Sequence, residues 1–168
     1  MKRLIVSTLF GAVLFMCLAA ASCDTSGGAP AGSSSTAVAT VTKGQPMTAS
    51  SGESVTVTTY TPGVTDPNAI STSAPGQQCV KVSVSIKNGS TSEWTLPMSE
   101  TSIVDASGQK YTSDNGIGTC PSGTSMISSL VAGGSATADL VFQVPSTGAL
   151  DFNWTPTLSG QVFQTPLS

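Results

Sequence analysis

Val80-Lys81-Val82-Ser83-Val84-Ser85-Ile86-Lys87 alternates apolar and polar side chains without a break. A helix would scatter Val80, Val82, Val84 and Ile86 around its circumference, whereas a strand puts all four on one face. The stretch is therefore read as a half-buried strand, with Lys81, Ser83, Ser85 and Lys87 turned to water. The same period recurs at Ser54 to Tyr60, at Ala136, Ala138, Leu140, Phe142 and Val144 before Pro145, and at Leu150, Phe152 and Trp154 before Pro156. Shorter candidates lie at Thr95-Leu96, Ser102 to Asp105 and Met126 to Leu130. Turn signals separate them: Asn88-Gly89, Ala106-Ser107-Gly108, Asp114-Asn115-Gly116 and Ala132-Gly133-Gly134. About seven short strands and no sustained helical period predict an all-β antiparallel sandwich.

Composition narrows what such a sandwich does. With Lys+Arg at 6 against Asp+Glu at 9, no basic surface is available to neutralise a phosphate backbone, which excludes nucleic acid as a partner. His is absent, and with it the commonest general base and metal ligand. Ser107-Gly108-Gln109-Lys110 and Ser113-Asp114-Asn115 match two elements of penicillin-binding enzymes. Both fall in one turn-rich stretch and no Lys-Thr-Gly follows, so coincidence explains them and no catalytic residue is assigned. Asp105 and Asp114 lack the spacing of a calcium loop and are read as turn caps. Met47, Met98 and Met126 are too scattered for a thioether copper site and are read as core fillers. No cofactor or metal is expected.

The N-terminus carries an address. Met1-Lys2-Arg3 is a positive n-region, Leu4 to Leu18 an apolar h-region, and Ala19 to Ser22 small residues of the kind a signal peptidase accepts. As a helix the apolar run reaches roughly 22 Å, short of a roughly 30 Å hydrocarbon core. Residues 1–22 are thus an export signal. Ala20-Ala21-Ser22-Cys23 resembles the lipobox of bacterial lipoproteins, with Ala at the position where Leu is more usual. The resemblance implies diacylglycerol on the Cys23 thiol and cleavage before it. Cys17 follows the bulky Leu14-Phe15-Met16 and does not suit a small-residue cleavage pocket. One acyl chain holds a protein marginally and two or more hold it durably. The expected location is the extracytoplasmic face of the cell membrane. In a bacterium the sequon matches at Asn88-Gly89-Ser90 and Asn153-Trp154-Thr155 carry no meaning.

Residues 23–51 are rich in Ser, Thr, Gly and Ala and read as a flexible tether of about 25–30 Å reach. Val38, Val41 and Lys43 to Thr48 are candidates for a first edge strand within it. Residues 52–168 are the expected folded domain. It retains Cys79 and Cys120, an even pair in an exported chain, which reads as one disulfide. Cys79 shares parity with Lys81 and Lys87, and Gly118 rather than a tyrosine stands two residues before Cys120. The pair, with Trp94, is therefore not the core pin of antibody domains. A peripheral bridge clamping the Ser113 to Gly123 loop to a strand end is expected. No C-x-x-C and no His accompany it, which argues against a redox or metal role.

The order of motifs resembles the DUF4352 family. Cys79 to Gly89 is similar to its strand and turn, Ile103 to Tyr111 to its "LxDxxGxxY" hairpin, and Val131 to Ser135 with Leu140 to Pro145 to its final run, with Ala132 where proline is usual. The resemblance covers Ser54 to Pro156. It implies an immunoglobulin-like extracytoplasmic sandwich, often on lipoproteins, with no known enzymatic role. The expectation is a lipid-anchored, non-catalytic binding or structural module for a protein or cell-wall partner. The alternative is a small-ligand or metal-ion carrier with the Ser113 to Gly123 loop as its lid. A hydrolase lacks a base for any nucleophile.

Overall fold

Val80, Val82, Val84 and Ile86 are all fully buried, and they project from the strand on which the whole architecture is built. The computed structural model describes residues 36–69, 71–113, 119–123, 129–157 and 159–168, which lie in the compact unit Ser35–Ser168. Among the described residues nine strands run in chain order: β1 Val38–Thr40, β2 Pro46–Thr48, β3 Glu53–Pro62, β4 Gln77–Asn88, β5 Thr101–Asp105, β6 Lys110–Tyr111, β7 Ser135–Pro145, β8 Leu150–Trp154 and β9 Val162–Pro166. A 3₁₀ turn, Met98–Glu100, precedes β5.

The strands form two sheets, ordered β2-β3-β4-β7 and β1-β9-β8-β5-β6. All pairings are antiparallel except that β1 lies parallel to β9, Val38 opposite Val162. The long β4 is paired along its length with β7, from Gln77 opposite Pro145 to Lys87 opposite Ser135. On β3 the register slips between Val57 and Thr59, a bulge that gives Thr58 no opposite residue. The extra residue resets the parity, so Tyr60 rather than Thr59 packs against the core. Thr58 Oγ1 donates to the Ser83 carbonyl at 2.9 Å.

Between the sheets the inward sets interdigitate. Trp154 is fully buried, stacks on Phe163 with centroids 5.4 Å apart and meets the edge of Trp94 at 6.3 Å, while Phe142 and Phe152 pack edge to face across the sandwich. Met47 is wholly buried and fills the core, as a flexible thioether does well.

Two features differ from the sequence expectation. The expected tether ended at residue 51, but β1 and β2, where candidates for an edge strand were noted, lie within it and belong to the sheets, because Ala39 and Met47 pack against the core. β9 was not expected: in Val162-Phe163-Gln164-Thr165-Pro166 only Phe163 is a strong apolar signal, and Thr165 is buried as a polar residue.

At the end of β4, Asn88 is fully buried and holds three segments together. Its Nδ2 donates to the Ser92 and Leu130 carbonyls, each at 2.7 Å, and its Oδ1 accepts from the Ser90 N–H at 3.0 Å and hydroxyl at 2.7 Å. Every valence of the amide is thus used inside the fold.

Candidate functional site

The outward face of β4 carries Cys79, Lys81 and Ser83, as period two requires. Cys79 is joined to Cys120, with Cα atoms 5.5 Å apart and a sequence separation of 41. The bridge, Val141 of β7 and the half-buried Val64 form a small apolar cluster separate from the main core. One strand over, the Asp139 carboxylate accepts from the Ser83 hydroxyl at 2.6 Å and pairs with Lys81 Nζ at 3.3 Å. The Ser83 hydrogen bond, followed by Lys81, holds its carboxyl below the usual carboxylate range. A carboxylate held this way is a weak base toward the Ser83 hydroxyl.

Beside this group opens a shallow cleft of about 280 Å³, lined by Val64, Lys81, Pro121, Ser122, Asp139 and Val141. Its cation and anion neutralise each other, and its apolar wall is the side of the disulfide cluster. Such a surface offers hydrogen bonds and contact area.

A second polar cluster stands where β8 ends. The side chain of Glu100 is buried: Oε2 accepts from Trp154 Nε1 at 3.2 Å, and Oε1 accepts from the Thr157 N–H at 2.9 Å and hydroxyl at 2.5 Å. The Thr155 N–H donates to the Glu100 carbonyl at 2.8 Å. Three donors satisfy the charge and tie the segment after β8 to the start of β5. A cleft of about 180 Å³ lies over it, with Trp94, Pro97 and Pro156 among its walls. Nothing in the sequence singled out Glu100, which is one acid in a polar connection.

The third cluster is the hairpin between β5 and β6. Asp105 Oδ1 accepts from the Ser107 N–H, the Ser107 hydroxyl and the Gln109 N–H, while Oδ2 accepts from Tyr111 Oη at 2.9 Å. Its carboxyl is held low, chiefly by the Ser107 hydroxyl, and the hydrogen bond to Asp105 raises the Tyr111 phenol. Asp105 is therefore a turn cap, and the Ser107 hydroxyl that the enzyme-like motif offered as a nucleophile is committed to it. Asp114 and Asn115 lie outside the described residues.

Cys23, Cys17, the signal 1–22 and the tether through residue 35 also lie outside the described residues, as does Met126. Among the described residues no three His, Cys, Asp or Glu side chains gather as a metal site, and no helix is long and apolar enough to cross a membrane. The amide nitrogen of Asn88 is spent in the fold, and Asn153 sits in β8 with its Oδ1 buried.

Comparison with known proteins places this geometry. A family model described as Domain of unknown function (DUF4352) matches residues 42–162. No curated protein matches the chain in sequence. Among solved structures, ycdA, a candidate lipoprotein of Bacillus subtilis strain 168, superposes with a TM-score of 0.55 at 18% identity, covering 71% of this chain and 37% of its own. The chain therefore spans little more than a third of ycdA. The yjhA protein of Bacillus subtilis superposes with a TM-score of 0.54 at 14% identity, covering 76% of this chain and 98% of its own. At these identities the likeness is one of fold.

Proposed function

The chain belongs to the DUF4352 family, and from that membership, the sandwich and the Ala20-Ala21-Ser22-Cys23 pattern we propose a membrane-anchored surface lipoprotein whose β-sandwich is a non-catalytic binding or structural module. Lipid on Cys23 holds the chain at the extracytoplasmic face, and a tether from Cys23 to the start of β1 lets the sandwich reach a protein or cell-wall partner. The observation that carries the non-catalytic part is the use of the polar side chains. Asn88, Glu100 and Asp105 each spend their hydrogen bonds holding segments of the fold together. The lipoprotein class of ycdA supports the anchored part by analogy of fold.

Cell fractionation with the Cys23→Ser variant tests the anchor. The parent chain is expected in the membrane fraction and the variant outside it, and equal membrane association of both contradicts the reading. Turnover of any substrate by the purified domain contradicts the non-catalytic part.

A second reading rests on the cleft beside Pro121 and Ser122. In that reading the domain is a small-ligand or ion carrier, with Pro121 and Ser122 walling the site. Thermal denaturation against a panel of metals and metabolites tests it, since a ligand of the native state raises the melting temperature. No shift across the panel contradicts it.

A further inference from the structure

The cleft beside the disulfide and the cleft over Glu100 differ in charge. In the first, Lys81 pairs with Asp139. The second has two acids, Glu53 and Glu100, and among the described residues neither forms an ion pair. The hydrogen bonds from Trp154 and Thr157 satisfy the Glu100 oxygens but bring no positive charge. Period two explains how Glu53 comes to face the same cleft. It shares parity with the buried Val55 and Val57, so it lies on the inward face of β3, where that strand starts at the mouth between the sheets. Lys87 of β4 stands opposite Ser54 and turns with it to the outer face, away from Glu53. The Ser51 hydroxyl donates to Glu53 Oε2, whereas Oε1 accepts from none of the described residues. Around these acids the walls are apolar: the half-buried Trp94, Pro97 and Pro156.

We propose that this cleft receives a lysine side chain of a protein partner, its hydrocarbon stem between Trp94, Pro97 and Pro156 and its ammonium donating to Glu53 Oε1. Acids beside an indole attract a cation twice, through their charge and through the negative face of the ring. An open carboxylate oxygen selects a cation that carries N–H donors, and apolar walls select one mounted on an apolar stem. Size selects a side chain over a free ligand: the cleft holds about 180 Å³, below the roughly 300–1,000 Å³ of pockets that enclose a drug-sized molecule. The proposal rests on the reading of the sandwich as a binding module but not on the Cys23 anchor, so its failure leaves the fractionation result as it stands.

Both tryptophans of the chain, Trp94 and Trp154, line the cleft, so the intrinsic fluorescence of the purified full chain reads its occupancy. Nα-acetyl-lysine methylamide is titrated beside its norleucine analogue, which has the same hydrocarbon stem without the amine, and beside N-acetylglucosamine. A saturable change in emission is expected with the lysine compound alone. Raising the ionic strength to about 1 M, where screening sets in beyond about 3 Å, is expected to weaken that binding. Glu53→Gln is expected to weaken it about threefold to tenfold with the urea midpoint kept. No saturable change with the lysine compound overturns the proposal, as does a folded Glu53→Gln that binds like the parent. Equal binding of the norleucine compound overturns it in favour of a merely apolar cleft, and tighter binding of the sugar overturns it in favour of a glycan. If Glu53→Gln does not fold, the salt series on the parent chain decides, and an affinity unmoved by salt overturns the ammonium.

Discussion

Gly52 and Gly89 meet backbone to backbone, where the turn into β3 passes the end of β4: a Cβ on Gly52 would stand 2.7 Å from the Gly89 carbonyl oxygen. Neither position has room for a side chain, and Gly52 also holds φ at +103°. Gly89→Ala is expected to force the two segments apart and destabilise the domain by about 1–3 kcal/mol, the range of overpacking. Urea unfolding followed by tryptophan fluorescence measures it. A midpoint equal to the parent's contradicts the close approach.

Asn88, one residue earlier, tests whether a buried amide organises that end of the sandwich. Asn88→Asp keeps the shape but turns a donor toward the Ser92 and Leu130 carbonyls into an acceptor. The variant is expected to lose at least about 1–3 kcal/mol at neutral pH, more than Asn88→Ala if the carboxylate stays charged. Acid that protonates the new carboxyl should return part of the loss. Equal unfolding midpoints for Asn88→Asp at pH 7 and pH 4 contradict the assignment of donors.

Glu100 makes the equivalent test at the end of β8. Glu100→Gln leaves one N–H₂ group facing either Trp154 Nε1 or the Thr157 donors, and one accepted hydrogen bond becomes a donor–donor conflict. The expected loss is about 1.5–3 kcal/mol, with a shift in Trp154 emission. An unaltered spectrum and midpoint contradict a structural role for the carboxylate.

The pH dependence follows from Asp139 on the outer face of β4 and β7. Its folded-state pKa is depressed by the Ser83 hydroxyl and then by Lys81, against about 3.9 in an unfolded chain. Its contribution is fully present above the unfolded value and is lost as pH falls through the folded value. The side chain is 46% exposed, so solvent screening keeps the contribution below about 1 kcal/mol. Melting temperatures of the parent and Asp139→Asn should differ by a fixed amount above pH 5 and converge toward pH 2. A difference that persists unchanged to pH 2 contradicts the depressed pKa.

What the sequence made legible was the part of the fold with strong period. Val80 to Ile86 alternates strictly because one face lies on the core and one toward solvent, and Ala136 to Val144 does the same except at Val141, which is buried on the outer face against the disulfide. Parity likewise set Cys79 on the outer face, where the structure joins it to Cys120. The bulge at Thr58 was hidden, since Thr58 and Thr59 look alike and only the position of Tyr60 reveals the slip. β1, β2 and β9 were weak signals because short outer strands and a buried Thr165 carry little apolar mass. The roles of Glu100 and Gly123 were illegible because both depend on segments far apart in sequence: Glu100 on Thr157, and Gly123 on Asp139.

The proposed export, the proposed lipid at Cys23 and the Cys79–Cys120 bridge each leave a mark on one mass. The intact mass of the mature protein extracted from membranes reads all three at once. The predicted mass begins at Cys23, carries at least one diacylglycerol and lacks two hydrogens for the Cys79–Cys120 bridge. A mass that begins elsewhere, or begins at Cys23 without lipid, contradicts it.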